Sequence, residues 1–145
     1  MALKKLTIQN KLANYIMQDG KKQTSEKLLL KSYKLIQKAQ KKKFFKEIFK
    51  LAIVNSSPFF YIKQIQRKKK KALEFPFLLK NSLKFHYGIK AIILSMNIKS
   101  TFSFYKKCSL EIINSAKLIS EGVKKKKETY KTAFLTKRYA NYRWF

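Results

Sequence analysis

Side chains able to do covalent or acid–base chemistry are scarce in this 145-residue sequence, which holds one histidine, His86, and one cysteine, Cys108. An imidazole between Phe85 and Tyr87 reads as a packed or partly exposed side chain rather than a general acid or base. Cys108 falls on an apolar stripe and reads as a small hydrophobe, although Lys106 and Lys107 beside it would favour a thiolate. One Cys and one His cannot form a disulfide framework or a four-ligand zinc site. No Asp/Glu pair lies close on one helical face, and no glycine-rich phosphate loop is present. The expectation is a protein that is not an enzyme and that uses no cofactor or metal.

The chemistry the sequence does offer is charge. Thirty-five Lys and Arg face seven Asp and Glu, a formal charge of +28. All but Arg67, Arg138 and Arg143 of these cations are lysines, so most supply a point charge rather than a bidentate fork. Three runs, Lys21-Lys22, Lys68 to Lys71 and Lys124 to Lys127, fall where a turn, a hairpin tip and a helix start are expected. A chain with such self-repulsion and an evident core calls for a polyanion, held by several phosphate contacts that release counterions. At the C-terminus Tyr139, Tyr142, Trp144 and Phe145 interleave with Lys137, Arg138 and Arg143. These rings have two readings, stacking on bases or packing on the body.

Apolar spacing defines the elements that must carry these groups. Hydrophobic residues make up 46% of the chain, enough for a core, and the expectation is one domain over residues 1–145. Leu6, Ile8, Leu12, Ile16 and Met17 gather on one helical side that stops at Gly20. A second helix, with Thr24 or Ser25 as cap, carries Leu29, Tyr33 and Ile36 inward and Lys27, Lys31, Lys34 and Lys38 outward. Phe45, Ile48, Phe49 and Ala52 line a third, ending at Asn55-Ser56-Ser57-Pro58.

From about 59 to 79 the period drops to two, which predicts a β-hairpin with the lysine run at its tip and Pro76 at an edge or bulge. Helical spacing returns through Leu83, Tyr87 (or Phe85), Ile89, Ile92, Ile93 and Met96. It continues through Phe104, Cys108, Leu110, Ile112, Ile113 and Ala116. Gly122 is expected to break the chain before a last helix from about Lys125 to Asn141. The predicted fold class is mainly α: a bundle of about six helices with one protruding β-hairpin. No apolar run reaches the roughly 20 residues of a bilayer span, and the first twenty residues do not read as a secretory signal.

Two separated stretches carry a family resemblance. NKLANYIMQDGKKQTSEKLLLKSYKLI, residues 10–36, resembles the opening helices of small-subunit ribosomal protein seven of the bacterial type. GVKKKKETYKTAFLTKRYANYRW, residues 122–144, is similar to that family's closing signature, with its basic run, Glu128-Thr129 step and terminal Tyr139-Ala140-Asn141-Tyr142-Arg143-Trp144. The resemblance runs from about Thr7 to Trp144 and implies a helical bundle with an extended hairpin in the head of the small ribosomal subunit. It further implies binding to the 3′ major domain of small-subunit rRNA, a part in head assembly, and a hairpin beside mRNA and exit-site tRNA, near the ribosomal protein S-eleven. Carried onto this sequence, rRNA contact falls on Lys21, Lys22, Lys80, Lys84, Lys90, Lys124, Lys125, Lys126, Arg138, Arg143 and Trp144. The hairpin's contacts fall on Lys63, Arg67, Lys68, Lys69, Lys70 and Lys71.

The sequence departs from the family at the hairpin tip, where lysines replace a usual glycine pair, and at Leu83, which replaces a basic residue. The basic N-terminal arm is also largely absent. Lys, Phe, Ile, Asn and Tyr have AT-rich codons, and their abundance points to an AT-biased genome. With a resemblance that starts too near Met1 for a presequence, and a divergent centre, the expectation is an organelle-encoded protein of the mitochondrial matrix, within the mitochondrial ribosome; a plastid and a reduced bacterial genome are the alternative sources. Two other partners for a basic helical chain are DNA, through a helix-turn-helix, and an anionic membrane surface. No helix with exposed base-reading residues favours the first.

Overall fold

A computed structural model describes residues 8–41, 43–66, 72–98 and 102–141. The described chain runs α1 (Ile8–Ile16), α2 (Lys22–Ala39), α3 (Phe45–Ser56), β1 (Phe60–Ile65), β2 (Leu73–Leu78), α4 (Asn81–Ile98), α5 (Phe104–Ala116) and α6 (Glu121–Leu135), and a 3₁₀ turn follows at Lys137–Tyr139. This is the mainly α arrangement expected, six helices and one hairpin. Among the described residues no helix is long and apolar enough to cross a membrane.

The core is built by α1 to α5. Leu12 and Ala13 of α1 meet Leu29 and Ile36 of α2, Ile48, Phe49, Ala52 and Ile53 of α3, Ile89, Ile92 and Met96 of α4, and Cys108 and Ile112 of α5. α5 packs against α2, α3 and α4. Tyr33, Phe45 and Phe49 form an aromatic group across the α2–α3 junction, with Tyr33 and Phe45 ring centroids 3.9 Å apart. Three buried serines, Ser32, Ser95 and Ser109, let the helices approach without leaving their hydroxyls bare, whereas the buried hydroxyls of Ser56 and Ser115 have no hydrogen-bond partner among the described residues. Ser32 Oγ donates to Leu29 O at 2.7 Å, Ser95 Oγ to Ala91 O at 2.6 Å and Ser109 Oγ to Lys106 O at 2.9 Å, so each is satisfied within its own helix.

The hairpin pairs Phe60 with Leu78 through to Ile65 with Leu73, antiparallel. Leu79 N donates to Phe59 O at 3.0 Å. Bonded and non-bonded pairs alternate in such a ladder, so Pro76, opposite Ile62, occupies a non-bonded position where its missing N–H costs nothing. Gln64 and Glu74, also at a non-bonded pair, join their side chains at 2.9 Å. The tip, Arg67 to Lys71, lies outside the described residues.

Several helix ends differ from the sequence expectation. α2 begins at Lys22, and neither Thr24 nor Ser25 caps it. Asp19 (φ 51°) and Gly20 (φ 70°) close the preceding turn in the left-handed region, which starts the helix earlier. The two hydroxyls then lie inside the first turn and donate back to Lys21 O and Lys22 O. Leu110, placed by spacing on the apolar stripe of α5, is 42% exposed. α6 ends at Leu135, short of Asn141.

The larger correction concerns Gly122, which does not break the chain: it sits in the first turn of α6. Ser120 caps that helix by accepting the Gly122 N–H at 3.0 Å. The glycine serves packing, since a Cβ there would stand 3.3 Å from both Ala91 O and Ser95 Oγ of α4. Gly88 plays the same part toward α3. A Cβ at Gly88 would run into Ser57 Oγ and stand 3.2 Å from Ile53 O, and Ser57 cannot rotate away without losing its 2.7 Å bond to that carbonyl. Gly88→Ala is therefore expected to cost about 2 kcal/mol despite alanine's better helix propensity. Urea unfolding followed by circular dichroism measures it, and an unchanged or higher midpoint would contradict this packing account.

Candidate nucleic-acid interface

Gly122 sets α6 close to α4, and between them, under the end of α3, runs an open groove of about 270 Å³. Ser56 and Pro58 form its end, Tyr87, Lys90, Ala91, Leu94 and Ser95 its α4 wall, and Gly122, Lys125, Lys126 and Thr129 its α6 wall. Three lysines separated by up to 36 positions thus share one concavity.

Beside the groove the link from α3 to β1 is fastened to both helices. Phe59 N donates to Tyr130 Oη of α6 at 3.0 Å, and the Phe60 and Tyr130 rings meet edge to face at 5.8 Å. Lys84 of α4 holds its ammonium 4.5 Å from the Phe59 ring centroid, and Lys126 of α6 lies 6.0 Å from the same ring and 5.8 Å from Tyr130. Lys126 also donates to Asn55 O at 2.8 Å. Asn55 in turn gives its amide to Ser115 O and Ala116 O, both at 3.1 Å, tying the end of α5 to the same corner. Cation–π contact orients both ammonium groups without neutralising them, so their charge stays available to an anion.

Burial lowers the Lys126 pKa below its ordinary 10.5, because removing water penalises the charged form. At neutral pH the free protein therefore carries the cost of a desolvated ammonium; that cost is relieved only as pH climbs from the lowered value toward 10.5. An anion in the groove would reverse the shift.

The remaining cations named from the sequence are spread over the surface. Lys21 and Lys22 are exposed at the α1–α2 turn, where they face Asp19 at 4.0 Å and Glu26 at 3.8 Å, and neither lines the groove. Lys80 is exposed, and its carbonyl accepts from Leu83 and Lys84 at the start of α4. Lys124 points to Glu121, 2.5 Å away, and that hydrogen bond raises its pKa. Of the Lys124–Lys126 run, then, Lys125 and Lys126 belong to the groove and Lys124 to a local ion pair. Lys63 is exposed on β1, opposite Phe75. Arg138 lies over Tyr139 at 4.7 Å, and Tyr139 packs on Phe75 of β2 at 5.3 Å, which is the body-packing alternative for this ring. Arg67, Lys68, Lys69, Lys70, Lys71, Arg143 and Trp144 lie outside the described residues.

Sequence reading missed Asn55, Phe59, Tyr87, Tyr130, Ser95 and Thr129. The i, i+4 pair Lys126–Tyr130 and the i, i+3 pair Lys84–Tyr87 were available as signals. Nothing local announces Asn55 or Phe59. The lone cysteine and the lone histidine are packed into the fold: Cys108 is fully buried, and loss of water pushes its thiol up to about 11, so it stays protonated. His86 is half-buried against Tyr15 and Tyr87.

A small helical bundle with one hairpin, carrying a lysine-lined groove, a buried Cys108 and a His86 packed between two tyrosines, defines the class as a cationic structural scaffold. The profile described as ribosomal protein S7p/S5e matches residues 3–137. The chain belongs to this family, and it is a structural, non-enzymatic component of the small ribosomal subunit that serves translation. The small ribosomal subunit protein uS7 of a Nitratiruptor species is 28% identical over 134 residues, 92% of this chain and 85% of that protein. The uS7 proteins of Malacoplasma penetrans (29%) and Metamycoplasma arthritidis (28%) match with the same coverage.

Titration of the lysine side chains by ¹H–¹³C NMR should find Lys126 losing its proton below the ordinary lysine range, and added RNA should move it back up. A Lys126 that titrates in the ordinary range in the free protein would remove the desolvation argument.

Proposed function

We propose that the chain binds small-subunit rRNA through the α4–α6 groove and the lysines around it, within the 3′ major domain that forms the subunit head. The observation that carries this reading is the meeting of Lys90 with Lys125 and Lys126 in one concavity, beside Lys84 on Phe59. Point charges on two helices suit phosphates whose positions are set by RNA shape, since the deep, narrow major groove of A-form RNA excludes side chains. By fastening several rRNA helices at once, the scaffold would organise head assembly. Lys21 and Lys22, Lys80, Lys124, Arg138, Arg143 and Trp144 are proposed as further rRNA contacts. Lys63, Arg67 and Lys68 to Lys71 are proposed to face mRNA and exit-site tRNA. The protein S-eleven is a proposed neighbour, and residues 1–145 are proposed to act as one domain. The AT-type composition supports placement in the mitochondrial matrix, in an organelle-encoded mitochondrial ribosome.

Lys90→Ala combined with Lys125→Ala should weaken binding to an rRNA head fragment roughly 10- to 100-fold, at about 1.5 kcal/mol or less for each charged contact. The slope of log affinity against log salt should fall by about two, one for each phosphate released. An unchanged slope in filter binding would refute the groove as the phosphate site. The organelle assignment is checked separately: on sucrose gradients of purified mitochondria the native protein should follow the small-subunit peak, and its absence from that peak would refute the placement.

A further inference from the structure

A second concavity, on the α1 side of α4, has different chemistry from the groove. It is an open pocket of about 420 Å³ lined by Lys11, Asn14 and Tyr15 of α1 and by Ser82, Leu83, His86 and Ile89 of α4. That volume lies within the roughly 300–1,000 Å³ of small-ligand sites. Its charge is a single lysine, Lys11; the remaining lining is an aromatic ring, two aliphatic side chains, an amide, a hydroxyl and an imidazole.

Tyr15 is 43% exposed and yet held in place. Its hydroxyl shares a hydrogen bond with Nδ1 of His86, with ring centroids 5.3 Å apart. His86 then meets Tyr87 edge to face at 5.3 Å, and Tyr87 stacks on Tyr61 of β1 at 5.5 Å. A row of four rings, Tyr15, His86, Tyr87 and Tyr61, therefore runs from the pocket to the hairpin and fixes the Tyr15 face before any ligand arrives. A ring immobilised in advance loses little entropy when a flat partner stacks on it. Asn14 offers both a donor and an acceptor at the pocket rim, the pair needed to read a base edge, while Lys11 supplies one cation for an adjoining phosphate.

We propose that this pocket receives a single unpaired nucleobase of the bound RNA, stacked on Tyr15 and edge-bonded by Asn14, with Lys11 on its phosphate. The proposal rests on the RNA-binding reading above and deepens it: the α4–α6 groove takes backbone charge without regard to sequence, and the α1–α4 pocket takes one extruded base. Unpaired bases splayed onto aromatic side chains are the part of RNA a protein can recognise chemically.

Because His86 is the one histidine in the chain, its imidazole resonances report on this pocket alone. The full-length protein is titrated with adenosine 5′-monophosphate and, separately, with ribose 5-phosphate. The nucleotide should shift the His86 signals saturably, and the sugar phosphate should leave them in place. Tyr15→Phe, which keeps the ring, should retain nucleotide binding within a few-fold. Asn14→Ala, at an exposed helix position, should weaken it several-fold. Tyr15→Ala should weaken it about 5- to 100-fold, the range of one base–aromatic stack.

Equal shifts from both probes would mean a phosphate site only and would overturn the proposal, as would a nucleotide response that Tyr15→Ala leaves intact. Absence of any His86 response overturns it as well. If the groove variants still lose rRNA affinity and salt slope in that case, the groove reading survives alone; if rRNA binding is itself absent, both fall.

Discussion

The close approach of α4 to its two neighbours is the constraint on which the rest of the structure depends. α4 meets α3 where Gly88 removes a side chain from the contact, and it meets α6 where Gly122 does the same. Each contact fixes one flank of α4, so its outward residues face known partners: Lys84 lies over Phe59, Lys90 lines a groove shared with α6, and His86 faces α1. Without those two small residues the helices would stand farther apart, and the lysines of α4 and α6 would be scattered surface charges. Ser32, Ser95 and Ser109 extend the same logic, because a small side chain that returns its hydroxyl to its own helix permits approach at little polar cost.

A charge of +28 on so small a body makes electrostatic arrangement the second determinant. Seven acidic residues cannot offset it, and three of them, Asp19 with Lys21, Glu26 with Lys22 and Glu121 with Lys124, form ion pairs locally at the surface. Such exposed pairs contribute little to stability. Lys126 is the exception in kind: it is partly withdrawn from water, bonded to a carbonyl and set beside two aromatic rings, with no carboxylate among those contacts. A protein that holds an ammonium in that state is under strain that an anionic partner would relieve, which is the physical sense in which a ribosomal scaffold is incomplete alone.

The two concavities flanking α4 divide the work between charge and shape. The groove toward α6 gathers cations from separate elements, and the pocket toward α1 gathers one fixed ring, an amide and a single cation. Both depend on α4, and the aromatic row through His86 and Tyr87 joins the pocket side to the hairpin. The sulfhydryl and imidazole that a sequence scan would first examine for catalysis are consumed in this architecture, Cys108 as core filling and His86 as a brace for Tyr15.

What the sequence by itself determined is whatever repeats locally. The apolar period of α2, α3 and α4, the switch to alternation between Phe60 and Leu78, the stop at Gly20 and the excess of lysine are all properties of neighbouring residues, and each was legible. The two end motifs, residues 10–36 and 122–144, also sufficed for the family, because they are short patterns in fixed order. Gly122 was misread for the same reason. Locally a glycine weakens a helix, and only the distance to Ala91 and Ser95, about thirty positions away in the chain, shows that it is there to let α6 touch α4. The site was legible as a list of lysines and illegible as a place. Which of them converge, that Lys126 is desolvated and Lys124 paired, and that Asn55 and Phe59 complete the corner, follow from how helices distant in sequence pack, and tertiary structure alone decided that.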